Sequence, residues 1–356
     1  MSIFKPAPKP KSLLGYHRIL SPTAGIRVSP ICLGAMNFGE KWSEFLGKCD
    51  KETSFGILDF FYESGGNFID TANVYQFDES EQWLGEWMEK RGNRDQMVIA
   101  TKFTTGYRTE HMDSEIQSNY VGNSTKSLHL SLEASLKKLK TDYIDLLYVH
   151  CTSIEEVMQS LNTMVTARKV LYLGVSDTPA WVVAKANQYA RDHGLRPFSV
   201  YQGRWACSFR DMEREIIPMC QAEGMAIAPW GALGQGHLKT EQQRKEAQGG
   251  RNMRPALEND FKVSVVLEKI AKEKGTELTS VAIAYVMHKT PNVFPILGGR
   301  SIKHLKANIE ALGLNLSKEE IEEIEDAAPF DPGFPNSMLF GGNKRTVISM
   351  LCPNLL

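Results

Sequence analysis

The stretch STKSLHLSLEASLKKLKTDYIDLLYVHCTSIEEVMQSLNTMVTARKVLYLGVS, residues 124–176, alternates between two structural periods. In its first part Leu128, Leu132, Leu136 and Leu139 recur at three- and four-residue steps, which gathers them on one helical face. The run IDLLYVH (144–150) is short and almost wholly apolar, as a strand covered on both faces must be. A second helical pattern over 154–167 leads to a second run over 170–176. Two such runs joined by a helix are parallel neighbours, because a right-handed crossover is the connection that returns the chain to the same sheet.

The same unit repeats in both directions. Strand-like runs stand at 29–33, 67–70, 97–101, 199–202, 225–229 and 293–297, with helical patterns over 53–64, 80–90, 179–193 and 212–223. Eight parallel strands can close on themselves, so the expected fold class is α/β, a (β/α)8 TIM barrel. A β-hairpin over 16–28, turning at 23–25, is expected before it. Periodicity alone also admits an open doubly wound sheet. Barrels commonly use ~250 residues as one unit, so the chain reads as a single domain, 1–356, with tails at 1–15 and 329–356. The stretches 104–122 and 231–258 exceed ordinary connections and follow strand ends, which places these long loops at the C-terminal face. Within the second, residues 241–250 are rich in Gln, Glu and Gly and are expected to order with ligand.

Composition narrows the partners. With 41 Lys and Arg against 42 Asp and Glu, the net charge of -1 leaves no basic excess for a nucleic acid. No run approaches the ~20 apolar residues of a membrane span, and prolines interrupt the basic start MSIFKPAPKPKSLL before a signal-peptide core can form. The six cysteines lack any CxxC spacing, which suggests free thiols in a reducing, cytoplasmic setting, with Cys151 a buried structural thiol. No HExxH motif or His and carboxylate cluster marks a metal site, which argues against a metal-dependent hydrolase. A small carbonyl or alcohol substrate is expected. The oligomeric state stays open, a homo-oligomer included.

The ends of the apolar runs carry the chemistry. Asp70 closes the second run, with Tyr75 five residues on; Lys102 follows the third, His150 ends the fourth, Ser176 the fifth and Gln202 the sixth, and Trp230 follows the seventh. A barrel gathers such residues at one mouth. A phenol is a poor acid at neutral pH, but a neighbouring ammonium lowers its pKa. Lys102 can supply that ammonium, and Asp70 can hold it charged. His150 can donate a hydrogen bond to a carbonyl oxygen as negative charge develops there. Taken singly, each residue reads as readily as a turn former, a rim aromatic, a solvated charge or a core histidine. Together they suit carbonyl reduction, with a nicotinamide cofactor bringing the hydride.

The segments GGNFIDTANVY (65–75) and ESEQWLGEW (79–87) resemble the aldo-keto reductase signature, ATKF (100–103) resembles the family's lysine strand, and DYIDLLYVH (142–150) its histidine strand. The resemblance covers about residues 16–328. RILSPTAGIRVSPICLGAMNFG (18–39) and GGRSIKHLKANIEAL (298–312) are most similar to fungal aryl-alcohol dehydrogenases and related secondary-metabolite reductases. It implies Tyr75 as acid, Lys102 and Asp70 as its tuners and His150 as substrate orienter. It further implies NADPH as cofactor, with Gly34, Ala35, Met36 and Asn37 under the nicotinamide and Asp70 near its ribose.

Ser176, Asp177 and Gln202 would hold the carboxamide, Asp177 standing where many members have asparagine. Trp230 would stack on the ring. In GALGQG (231–236), Gly231, Leu233 and Gly234 would approach the pyrophosphate, as would Gly298. This run is not GxGxxG and opens a loop, so a Rossmann fingerprint is a weak reading. Arg300 could clamp a 2'-phosphate beside a helix start at Ser301, with His304 and Asn308 as further adenosine-phosphate contacts. His304 and Ser301 stand where arginine and lysine are common. The expected substrate pocket comprises Phe38, Trp42, Tyr75 and His150, with the 104–122 loop and the tail residues Phe334 and Phe340. An alternative reading is a regulatory subunit that senses NADPH and turns over slowly.

Overall fold

A computed structural model describes residues 8–150, 153–246 and 254–340. Strands β1 (Arg18–Ser21) and β2 (Ala24–Val28) form the hairpin. Its turn lies at Pro22 and Thr23, one residue earlier than expected, because Ser21 pairs with Ala24 and proline presets the first turn position. Eight parallel strands follow: β3 (Cys32–Gly34), β4 (Phe68–Asp70), β5 (Val98–Lys102), β6 (Ile144–Val149), β7 (Val170–Ser176), β8 (Val200–Arg204), β9 (Ala226–Trp230) and β10 (Ile296–Leu297). They close in the order β10-β3-β4-β5-β6-β7-β8-β9. Ile296 pairs with Cys32 on one side and Trp230 on the other, so the open-sheet alternative falls.

The helices in chain order are α1 (Ser43–Leu46), α2 (Lys51–Glu63), α3 (Glu79–Arg91), α4 (Thr125–Leu139), α5 (Ile154–Thr166), α6 (Ala180–Asp192), α7 (Ile216–Glu223), α8 (Glu241–Glu246), α9 (Glu258–Lys274), α10 (Leu278–Lys289), α11 (Ile302–Glu310), α12 (Lys318–Ala327) and α13 (Asn336–Phe340). Helix α4 is capped by Ser124, which accepts from the Ser127 N–H, and buries the leucine face read from the sequence. Helix α7 starts four residues later than its pattern suggested. Pro218 has no N–H to give the Arg214 carbonyl, so the helix cannot extend backward. The sequence reading placed no helix at α9, α10 or α12. Helix α10 is buried on nearly every side, which erases the amphipathic period that reveals a helix.

Strand alternation sorts the core into two shells. Cys32, Phe68, Val98, Ala100, Leu146, Tyr148, Val200, Ala226 and Ala228 fill the barrel interior, where Leu20, Ala24 and Val28 of the hairpin pack against them and plug one end. Their neighbours of opposite parity, such as Leu33, Ile69, Ile99 and Leu147, pack outward with the helices. Arg18 seals the plug by donating to the Val293 carbonyl at 2.7 Å and stacking on Phe294.

Interior parity continued to the other end points Gly34, Asp70, Lys102, His150, Ser176, Gln202 and Trp230 into one mouth. Thus the strand that places Ala228 in the core also places Trp230 at the rim. The tail docks beside the loop after β8, where Arg214 donates to the Pro332 carbonyl at 3.0 Å and Phe330 lies against it. Phe334 is 81% exposed and turned to solvent, and the side chain of Phe340 lies outside the described residues. Of the 241–250 segment, residues 241–246 form α8 and the remainder lies outside the described residues, as does Cys151. Cys32, Cys49, Cys207 and Cys220 are buried free thiols. Among the described residues no helix is long and apolar enough to cross a membrane, and no cluster of three metal-ligating side chains occurs.

Candidate active site

A cavity of about 280 Å³ opens at the C-terminal mouth, lined by Asp70, Tyr75, Lys102, His150, Ser176, Asp177, Gln202 and Trp230 among others. At its floor Lys102 Nζ donates to Asp70 Oδ1 at 2.6 Å and to the Thr71 carbonyl at 2.7 Å. Gln202 Nε2 donates to Asp70 Oδ2 at 2.9 Å, so both carboxylate oxygens are engaged. Both charged side chains are almost wholly buried. Burial opposes the Lys102 charge, but attraction to Asp70 and Tyr75 and hydrogen bonds to both outweigh it and raise its pKa. The ammonium is therefore held charged.

Two phenols face that ammonium, with Lys102 Nζ 5.0 Å from the centre of the Tyr75 ring and 5.7 Å from that of Tyr148. Tyr148 is fully buried in the barrel interior, where burial pushes its pKa well above the ordinary value. Tyr75 lies on the cavity wall. Position therefore chooses between two residues of identical chemistry. The chain after Tyr75 takes the left-handed region at Gln76, Phe77 and Asp78 in succession, with φ of 53°, 46° and 80°. Gln76 stabilises that turn by donating to the Met36 carbonyl at 3.0 Å and accepting from the Trp42 N–H at 2.7 Å. The sequence reading passed over Gln76, because a single polar residue in a turn carries no period to betray it.

His150 is held between β5 and β7. Burial lowers its pKa, nearby Asp177 raises it and Lys102 lowers it, with a hydrogen bond to the Phe103 backbone opposing the fall; the net direction is down. The ring is thus neutral near pH 7 with a single N–H, and the tautomer that carries it on the cavity-facing nitrogen can donate there. Its Nε2 lies 3.9 Å from Asp177 Oδ2. Asp177, itself at φ 45°, accepts from Ser176 Oγ at 2.9 Å and from Trp230 Nε1 at 3.1 Å. These contacts tie the ends of β7 and β9 together and fix the indole beside the cavity.

The remaining residues separate by position. Gly34, Met36, Asn37, Gly231 and Gly298 line the cavity, and a Cβ on Gly34 would come 3.0 Å from Ile296. Ala35 is buried behind the wall, where its N–H donates to the Asp70 carbonyl at 2.8 Å. Phe38, expected on the pocket wall, is fully buried in the outer core, because a turn from the Ala35 carbonyl to the Phe38 N–H tucks its ring inward. Trp42 stands behind Tyr75 in an edge contact at 6.2 Å. Leu233 packs on the outer core, and Gly234 accepts from Arg254, a strap across the loop mouth. Gln235 lines the cavity and accepts from Arg254 Nε at 2.9 Å, a role the sequence did not signal.

Arg300, Ser301 and His304 lie beyond this cavity at the start of α11, and Asn308 lies in the second half of that helix. Ser301 caps that helix by accepting from the His304 N–H. Burial lowers the His304 pKa, and the charges of Arg300 and Lys303 lower it further. The Arg300 guanidinium lies over Gly47, where a Cβ would fall 1.8 Å from Nη1. Asn308 is buried on the inner side of the helix. A hydroxyl, a carboxylate and a primary amide beside an indole suit a carboxamide-bearing ring, and a capped helix start among three basic side chains suits a phosphate. The residues present therefore fit a nicotinamide dinucleotide.

A sequence profile of the aldo/keto reductase family matches residues 30–329. The norsolorinic acid reductase of Aspergillus flavus is 60% identical over 338 residues, covering 94% of this chain and 86% of the relative. Norsolorinic acid reductase B of Dothistroma septosporum is 58% identical, with 92% and 85% covered. The aryl-alcohol dehydrogenase [NADP(+)] of Phanerodontia chrysosporium is 54% identical, with 98% and 95% covered.

Proposed function

The chain belongs to the aldo/keto reductase family, an oxidoreductase family, and on that premise we propose that it reduces an aromatic or otherwise bulky aldehyde or ketone with NADPH, or runs the reverse oxidation. The observation that carries this reading is the buried Lys102 and Asp70 pair at the floor of a cavity whose wall presents Tyr75 and His150. When bound, the nicotinamide supplies hydride to the carbonyl carbon. Tyr75 gives its proton to the oxygen, and Lys102 stabilises the phenolate left behind. Asp70 keeps that lysine charged and oriented; neutral His150 donates a hydrogen bond to the same oxygen and fixes which carbonyl face is presented. Ser176, Asp177 and Gln202 would hold the carboxamide, and Trp230 would support the ring.

NADPH is favoured over NADH by the cations Arg300 and Lys303 and the imidazole of His304 around the Ser301-capped helix start, where a 2'-phosphate finds donors. The relative from Phanerodontia chrysosporium, named for NADP(+), agrees with this preference. Aromatic substrates are suggested by relatives named as norsolorinic acid reductases and aryl-alcohol dehydrogenases. The buried, unpaired thiols suit action in the cytosol, by a single barrel domain.

Steady-state NADPH consumption across aromatic aldehydes and ketones tests the proposal. Turnover by the wild type should exceed that of Tyr75→Phe by roughly 10²- to 10⁴-fold, while quenching of tryptophan fluorescence by NADPH persists in the variant. A Tyr75→Phe enzyme as fast as the wild type would remove Tyr75 as acid. Equally slow rates in both would favour a sensor of NADPH.

A further inference from the structure

Residue 104 has a side chain branched at Cβ, yet its φ is 100°, a region that such residues enter only when their surroundings hold them there. What holds Thr104 is a closed circuit of hydrogen bonds around the main chain of His150. The Thr104 hydroxyl donates to Asn123 Oδ1 at 2.6 Å, and Asn123 Nδ2 donates to the His150 carbonyl at 2.5 Å. The His150 N–H points back to Thr104 Oγ1 at 3.3 Å, and the Gly122 N–H donates to the Thr104 carbonyl at 2.8 Å. Both peptide groups of His150 are thereby engaged, and the imidazole lies against the backbone of Phe103, the residue before Thr104.

This circuit lies at the root of the 104–122 loop, which sends Thr105 into the cavity. His150 follows the last residue of β6, where ladder bonds no longer fix the backbone. We infer that Thr104 and Asn123 are positioning residues that hold the His150 main chain, and through it the direction of the imidazole, while closing the base of the 104–122 loop on the same atoms. A strained backbone is retained at Thr104 because its hydroxyl must reach two partners at once. The inference rests on the proposed role of His150 in orienting the carbonyl, and its test separates the two.

Asn123→Ala and Thr104→Val should each lower kcat for an aromatic aldehyde roughly ten- to a hundredfold, with the NADPH dissociation constant unchanged within about twofold. Thr104→Ser, which keeps the hydroxyl, should recover most of the loss. Combined with His150→Gln, Asn123→Ala should add nothing to the slow rate of His150→Gln alone, because its effect passes through the imidazole. Unchanged kcat in both Asn123→Ala and Thr104→Val would overturn the inference. So would multiplicative losses in the double variant, or a Thr104→Ser enzyme as slow as Thr104→Val. If His150→Gln itself turns over normally, the proposed role of His150 falls first and the positioning role falls with it. Should Asn123→Ala fail to fold, the contrast between Thr104→Val and Thr104→Ser decides.

Discussion

Asp70, Lys102, Ser176 and Gln202 stand on strands whose registers tie each to its neighbour: Asp70 opposite Ala100, Lys102 opposite Tyr148, Ser176 opposite Gln202. Arg300, Ser301 and His304 instead follow the two-residue strand β10 through a loop, and Arg300 meets Gly47 and Cys49 of another loop. At the first end, position is set by the same ladder that closes the barrel. At the second it is set by a cap, a glycine and mutual contacts. On the proposed reading, the buried Asp70 and Lys102 pair that tunes the acid therefore sits on the strands, while Tyr75, His150 and the recognition of a charged group sit just beyond them on loops.

Breaking the strand end should have the largest effect. Asp70→Asn leaves the Lys102 ammonium buried beside a neutral amide, a loss of about 3–5 kcal/mol for breaking a buried pair, and turnover should drop by roughly 10²-fold or more. Thermal unfolding and steady-state kinetics check both. A variant with normal stability and turnover would show that the buried pair does not hold the site.

The loop end should respond more weakly and more selectively. Arg300→Ala should raise the NADPH dissociation constant roughly ten- to a hundredfold, the weight of one charge-assisted contact, and leave NADH almost unchanged. Equal weakening of both would mean that Arg300 acts through its packing on Gly47 instead.

The smallest effect concerns pH. His304 has a lowered pKa in the free protein, from burial and from Arg300 and Lys303, and a bound 2'-phosphate would raise it again. Binding is then coupled to proton uptake, so NADPH should bind more tightly as pH falls through the imidazole range. The ratio of NADPH to NADH affinity should rise roughly three- to tenfold on acidification, and His304→Gln should flatten much of that slope. An unaltered slope would assign it to a titrating group other than His304.

The local periods of the chain were enough to find eight strands, their parallel sense and the residues at their ends, since a residue's parity on a strand is written in its spacing from the core residues before it. Asp70, Lys102, Gln202 and Trp230 were readable for that reason. Spacing could not distinguish Phe38 in the core from a pocket residue, because the turn that hides it depends on contacts rather than period. Nor could it reveal Gln235, Gln76 or Asn123, whose partners lie 19, 40 and 27 positions away. Closure of the sheet, the selection of Tyr75 over Tyr148, and the circuit around His150 arise when segments distant in the chain meet, and such meetings are determined by packing in three dimensions.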